Sequence, residues 1–283
     1  MSFINNIQNR FYQANIVEKF IMINLSIFIG VFLLNTMGFL FQTRTSLINW
    51  LILPATFDTF LTKPWTLITF GFIHVDFIHL LMNLISLYFV GNLFMDYFTS
   101  KQFISFYLLG TFFGGLLFMI SYNLFPAFRG DVANSSLLGA SAGVSAIFIG
   151  IATYIPNYQF KIPLIGFIKL WHLAAVWIVL DIIQIPAGNA GGHLAHLGGA
   201  LFGFLYVNQA RSTKTSISDK LKGFFSKRSP LKTVHKTKNT ASRKKANTSY
   251  KQQKINAILD KISKSGYETL SQEEKDFLFK QGQ

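Results

Sequence analysis

Three stretches of this chain carry residue types that acyl transfer needs. In Leu138-Gly139-Ala140-Ser141-Ala142-Gly143-Val144-Ser145, a serine sits among residues with almost no side chains. Small neighbours leave room for a substrate backbone to approach the hydroxyl and let another helix come close. In the run from Gly71 to Asn83, His79 and Asn83 are four residues apart and so share one helix face, with His74 just upstream. In the run from Asn189 to Gly203, Ala195, Gly199 and Gly203 recur every fourth residue, and His196 stands beside this ridge of small residues.

A serine hydroxyl becomes a nucleophile when a base takes its proton, and neutral imidazole suits that task near neutral pH. Attack on a carbonyl creates an oxyanion, for which an Asn amide, an imidazole N–H and the Ser141 backbone N–H are donors. Each residue also has a plainer reading. Ser141 fits a Gly/Ala/Ser packing face, and His196 fits a structural histidine bonded to a carbonyl. What favours chemistry is that all three groups fall near the outward ends of their stretches. Asp181 lies toward the end of another apolar stretch, but no acid is visibly placed to orient His196, so a Ser–His dyad is the simpler reading.

The elements that must position these groups are membrane helices. Of 283 residues, 51% are hydrophobic and only 13% charged, whereas soluble domains carry about a quarter of their residues as charges. About 20 apolar residues suffice to cross a bilayer as a helix. Six stretches approach this: about Phe20–Phe41, Phe77–Tyr97, Phe103–Leu124, Leu137–Ile155, Leu164–Ile185 and Ala190–Val207. The first is too long and too far from the start for a cleaved signal peptide. The fourth and sixth, rich in Gly, Ala and Ser, are expected at the centre of the bundle. The loop Gln42–Asp76, with Trp50 and Trp65, is expected to be structured and partly interfacial.

Charge is uneven: 18 of the 26 Lys and Arg, but only 6 of the 12 Asp and Glu, lie at or after Arg211. The positive-inside rule then puts both termini in the cytoplasm and the Ser141 end of the bundle at the outer face. The expected organisation is an N-terminal arm (1–19), a six-helix domain (20–210), a basic flexible linker (211–254) with a short amphipathic piece at Ile217–Phe225, and a small helical hairpin (255–283). The hairpin carries a capping-box-like Ser271-Gln272-Glu273-Glu274. The basic tail is expected on anionic inner-leaflet lipid rather than nucleic acid, because it lacks interleaved aromatic residues. There is no cysteine, which removes disulfides, thiolate-bound metals and a Cys nucleophile.

Taken together, these motifs resemble the rhomboid intramembrane serine proteases of bacterial type. The resemblance rests on His74, His79 and Asn83 in HxxxxHxxxN, on Gly139 and Ser141 in Gly-x-Ser, and on Ala195, His196, Gly199 and Gly203 in AHxxGxxxG, across about residues 60 to 208. It implies an all-α polytopic rhomboid bundle with six transmembrane helices and a small cytoplasmic helical tail, in the bacterial inner membrane. It implies Ser141 as nucleophile and His196 as general base and acid. By the same resemblance, His79, Asn83 and, in a supporting role, His74 are implied as oxyanion- or substrate-stabilising residues, and Gly139, Gly199, Gly203 and Trp65 as parts of structural motifs. Substrates would be transmembrane segments of other proteins, with neither metal nor cofactor. The chain departs from the family pattern at Thr66 for Arg, Ala142 for Gly and Ser145 for an aromatic residue near the catalytic histidine.

Two other functions compete. An inactive rhomboid-like protein that binds transmembrane segments would usually lack the serine or the histidine. A transporter or metal protein using His74, His79, His193 and His196 would need acids the sequence does not visibly supply, such as an HExxH motif. His172 and His235 read as interfacial and solvated.

Overall fold

Polar side chains just ahead of three of the apolar runs set where the helices begin. The computed structural model describes residues 3–43, 47–162, 166–212, 256–258, 260–264 and 267–279. Helix α1 (Phe3–Gln13) leads into α2 (Ile16–Leu40), whose start is a capping box: the Asn15 side chain accepts from the Glu18 N–H at 2.9 Å, and Glu18 accepts from the Asn15 N–H. Asp76 caps α5 (Phe77–Met95) by accepting from the His79 N–H at 2.7 Å. Thr99 and Gln102 form the box that opens α6 (Ser100–Leu124).

The first loop is structured, as expected. It holds strand β1 (Leu53–Pro54) and short helices α3 (Phe57–Thr62) and α4 (Thr66–Thr69). β1 pairs antiparallel with β2 (Ser136–Leu137), Leu53 opposite Leu137, and so ties the loop to the segment that enters the serine helix.

That helix, α7 (Ser141–Tyr154), is buried from Ala142 to Ala152 and packs against α5, α6 and α9 (Ala190–Ser212). Its contact with α9 runs over the small-residue ridge. A Cβ at Gly199 would collide with the Ala142 carbonyl, and one at Gly203 with the Ala146 carbonyl, so the two backbones touch directly. The fifth apolar stretch begins differently from the expected Leu164. Residues 166–169 form strand β4, paired with β3 (Gln159–Ile162), and helix α8 (Leu170–Gln184) starts only at Leu170. Gly166, at φ +99°, turns the chain there; Phe160 and Ile168 are residue types that strands favour, and Lys161 and Lys169 are ill-suited to a lipid-facing helix.

Among the described residues, α2, α5, α6 and the Leu170–Ala187 segment are long and apolar enough to cross a membrane. Exposed Phe32, Phe39, Phe89 and Ile183 on three of them form the kind of outer surface that lipid covers. The protein is thus mostly helical, a polytopic bundle around α7. The C-terminal part is described only within 256–279. Helix α10 (Gln272–Phe279) opens with the expected box, the Glu274 side chain accepting from the Ser271 N–H at 2.8 Å, and Lys261 pairs with Glu274 at 2.9 Å. The linker from 213 on, the Ile217–Phe225 piece and the Ser265-Gly266 turn lie outside the described residues.

Candidate active site

Gly139 governs the approach to Ser141. Its φ of +114° is a conformation that side chains rarely adopt, and a Cβ there would stand 2.7 Å from Cε1 of His79. Glycine therefore lets the chain turn into α7 directly beneath the His79 ring. The Gly139 N–H donates to the Phe70 carbonyl at 3.0 Å, and the Ala140 N–H to Nε2 of His74 at 3.2 Å. The residues just before Ser141 are thus held from the first loop side.

Ser141, His79, Asn83 and His196 line one cavity of about 340 Å³, together with Ser86, Ser136, Trp177 and Asn189. Four elements meet here: α5 brings His79, Asn83 and Ser86, α7 brings Ser141, α8 brings Trp177, and α9 brings His196. Asn83 donates one amide hydrogen to the His79 carbonyl at 3.0 Å, which fixes the side chain and leaves its second hydrogen for a ligand. Among the described residues the Ser141 hydroxyl has no hydrogen bond to His196; such contacts are commonly long without substrate and tighten in the bound complex.

His196 is held from α8. Its Nδ1 lies 2.8 Å from Oδ1 of Asp181, and Nδ1 of His193 lies 2.9 Å from the same oxygen. The Trp177 ring is 6.0 Å from the His196 ring, centre to centre. Sequence reasoning set Asp181 aside and did not reach Trp177. The signal was present: both lie one turn apart on α8, and an acid within an apolar helix is a functional candidate by default. Asp181, His193 and His196 also offer one ligand atom each within 4.8 Å of one another, so these three could hold a metal ion.

His74, expected near the oxyanion- and substrate-stabilising residues in a supporting role, stands behind the cavity wall. It is fully buried and does not line the cavity; its contact is the Ala140 N–H, for which Nε2 acts as acceptor and not as donor. Burial, with the charge of nearby His79, lowers its pKa from 6.5 to about 4, opposed by the Phe72 carbonyl. A neutral ring is what an acceptor requires. Between those two pH values the unfolded chain binds a proton that the folded one refuses, so His74 stabilises the fold above 6.5 and loses that effect as pH falls toward 4. Thermal unfolding in detergent should show a midpoint that drops across this window, and drops less in His74→Leu.

Rhomboid domain sequences match residues 61–211, more than half of the chain. The chain belongs to the rhomboid family. Presenilin-associated rhomboid-like protein A, mitochondrial, from Danio rerio is 31% identical over 150 residues, which is 52% of this chain and 37% of that protein. RHOMBOID-like protein 12, mitochondrial, from Arabidopsis thaliana is 31% identical over 144 residues, 48% of this chain and 43% of its own. The chain thus spans less than half the length of the curated relatives it matches. Residues 242–280 match a second family, DUF6576, of unknown function.

Within the rhomboid domain the three departures are accommodated. The Ala142 methyl sits where a Cβ at Gly114 would be 2.6 Å away, so glycine on α6 makes the room. Thr66 is buried and bonds the Lys63 carbonyl at 2.7 Å, while Trp65 stacks on Trp50 with ring centres 5.9 Å apart and donates to the Trp50 carbonyl at 2.7 Å. The aromatic absent at Ser145 is supplied to His196 by Trp177 instead.

Proposed function

We propose that this rhomboid is an intramembrane serine endopeptidase that hydrolyses peptide bonds in or near transmembrane segments. The observation that carries the reading is the convergence of Ser141, His196, His79 and Asn83, from three helices, on one cavity. Ser141 Oγ attacks the carbonyl while His196 Nε2 takes its proton and then passes it to the leaving nitrogen. The oxyanion meets the first N–H groups of α7, which have no intrahelical partner, along with the Asn83 amide and the His79 ring. Water, activated by the same imidazole, releases the acyl group.

Access is available to a helix in lipid. A second, apolar cleft of about 840 Å³ lies between α5 and α8, lined among others by Ile85, Phe89, Leu173 and Leu180, and it shares Ser86, Val144 and Trp177 with the cavity. An apolar segment entering there is led toward Ser141. Depth fits as well. With 14 residues, α7 is about 21 Å long in a hydrocarbon core of about 30 Å. With its Tyr154 end at one surface, Ser141 lies below the other.

Six spans, α2 and α5 to α9, put both termini on one side, and the basic tail marks that side as the more anionic one. Both relatives are named as mitochondrial, which gives a bacterial plasma membrane no support; what is proposed is the topology within a membrane. The test is cleavage of a reporter transmembrane substrate by purified protein in detergent, sensitive to Ser141→Ala. Asn83→Ala should lower kcat by about 10-fold to 10²-fold, short of a full oxyanion-donor loss because the α7 N–H groups remain. An unchanged kcat would remove Asn83 from the mechanism.

A further inference from the structure

We propose that Asp181 is a positioning residue for His196, braced by His193, so that the base of the Ser141–His196 pair is held by a third group in the order Ser141–His196–Asp181. The proposal rests on the serine-peptidase reading above. Its geometry is the single carboxylate oxygen that lies 2.8 Å from Nδ1 of His196 and 2.9 Å from Nδ1 of His193. An ionised carboxylate only accepts, so both Nδ1 atoms carry hydrogen. A neutral imidazole protonated at Nδ1 has its lone pair at Nε2, the atom left for the cavity and for Ser141.

A carboxylate inside a membrane helix is costly without partners. The Asp181 side chain is 7% exposed, and the ion partners the structure gives it are the two imidazoles. His193 holds the carboxylate from the turn before His196, which limits rotation of Asp181 away from its work. Trp177, one turn earlier on α8, stands against the ring of His196. One helix face thus sets both the tautomer and the orientation of the base.

During attack, the Ser141 proton moves to Nε2 of His196 as the Oγ–carbon bond forms. The resulting imidazolium faces Asp181, which stabilises its charge and takes no proton. Nε2 then gives the proton to the leaving amide nitrogen as the carbon–nitrogen bond breaks. Among the described residues, the titratable groups that face His196 are Asp181 on α8, His193 on its own helix and His79 on α5; α6 and α7 bring none there.

The test compares full-length wild type, Ser141→Ala, Asp181→Asn, Asp181→Glu and His193→Gln in detergent, measuring kcat and KM for a reporter transmembrane substrate across pH, with and without EDTA. Asp181→Asn should lower kcat by about 10²-fold to 10⁴-fold with little change in KM. It should also move the acid limb of the kcat profile to lower pH, because no negative charge then favours the imidazolium. Asp181→Glu should recover part of the rate, His193→Gln should lose less than Asp181→Asn, and EDTA should change nothing. A wild-type kcat and unmoved acid limb in Asp181→Asn would overturn the proposal, as would loss of wild-type activity in EDTA, which would make the cluster a metal centre. If Asp181→Asn does not fold, Asp181→Ser carries the test: a wild-type kcat and an unmoved acid limb there overturn it. Equal cleavage by wild type and Ser141→Ala would instead defeat the serine-peptidase reading, and this proposal with it.

Discussion

Ser141→Ala should abolish the proposed cleavage of a transmembrane substrate, lowering the rate by about 10³-fold or more, and His196→Ala should do the same. The two residues act as one unit, because the hydroxyl is a weak nucleophile until the imidazole takes its proton. The double variant should therefore be no worse than either single one, the signature of groups that share a step. Both side chains border the cavity; Ser141→Ala should unfold at close to the wild-type temperature, and His196→Ala, which takes away one of the two imidazoles on Asp181, somewhat lower. Rates that fell independently and multiplied in the double variant would mean that Ser141 and His196 serve separate functions.

A second large effect is expected far from any reacting atom. Gly199→Leu should prevent folding or cost more than about 4 kcal/mol, the exceptional end for single substitutions. The reason is backbone contact. A Cβ at 199 meets the carbonyl of Ala142, the residue after Ser141, and nothing there is a flexible side-chain end that can move aside. The helices must separate, which also shifts Ser141 relative to His196, so any folded fraction should be nearly inactive. Gly30 on α2 is the control. No atom lies within 4 Å of a Cβ at that position, so Gly30→Ala should be neutral or stabilise by about 0.5–1 kcal/mol through helix propensity. Yield of monodisperse protein and the unfolding temperature in detergent measure both; a Gly199→Leu variant as stable as Gly30→Ala would refute close α7–α9 packing.

Much of the arrangement was legible because chemistry and packing both leave short-range patterns. His79 and Asn83 share a helix face by their spacing, and the every-fourth glycines at 199 and 203 announced a close helix contact, which is where they lie. The start of α8 was not legible. Residues 164–169 are apolar enough to pass for the beginning of a span, and only the pairing of Gln159–Ile162 with Gly166–Lys169 decides for a hairpin. Pairing between strands is a tertiary choice that composition does not encode. His74 shows the same limit at one residue: its motif spacing is shared with His79, yet its ring turns into the protein to accept the Ala140 N–H. Asp181 and Trp177 could be seen in the sequence, but their use depends on which face α8 turns toward α9.

The most direct test of the central claim is chemical rather than genetic: treat the full-length protein in detergent with a fluorophosphonate, which reacts with activated serine hydroxyls, and map the adduct by mass spectrometry. The account predicts one adduct at Ser141, formed in wild type and lost in His196→Ala. An adduct absent from Ser141, or formed there equally fast without His196, would contradict it.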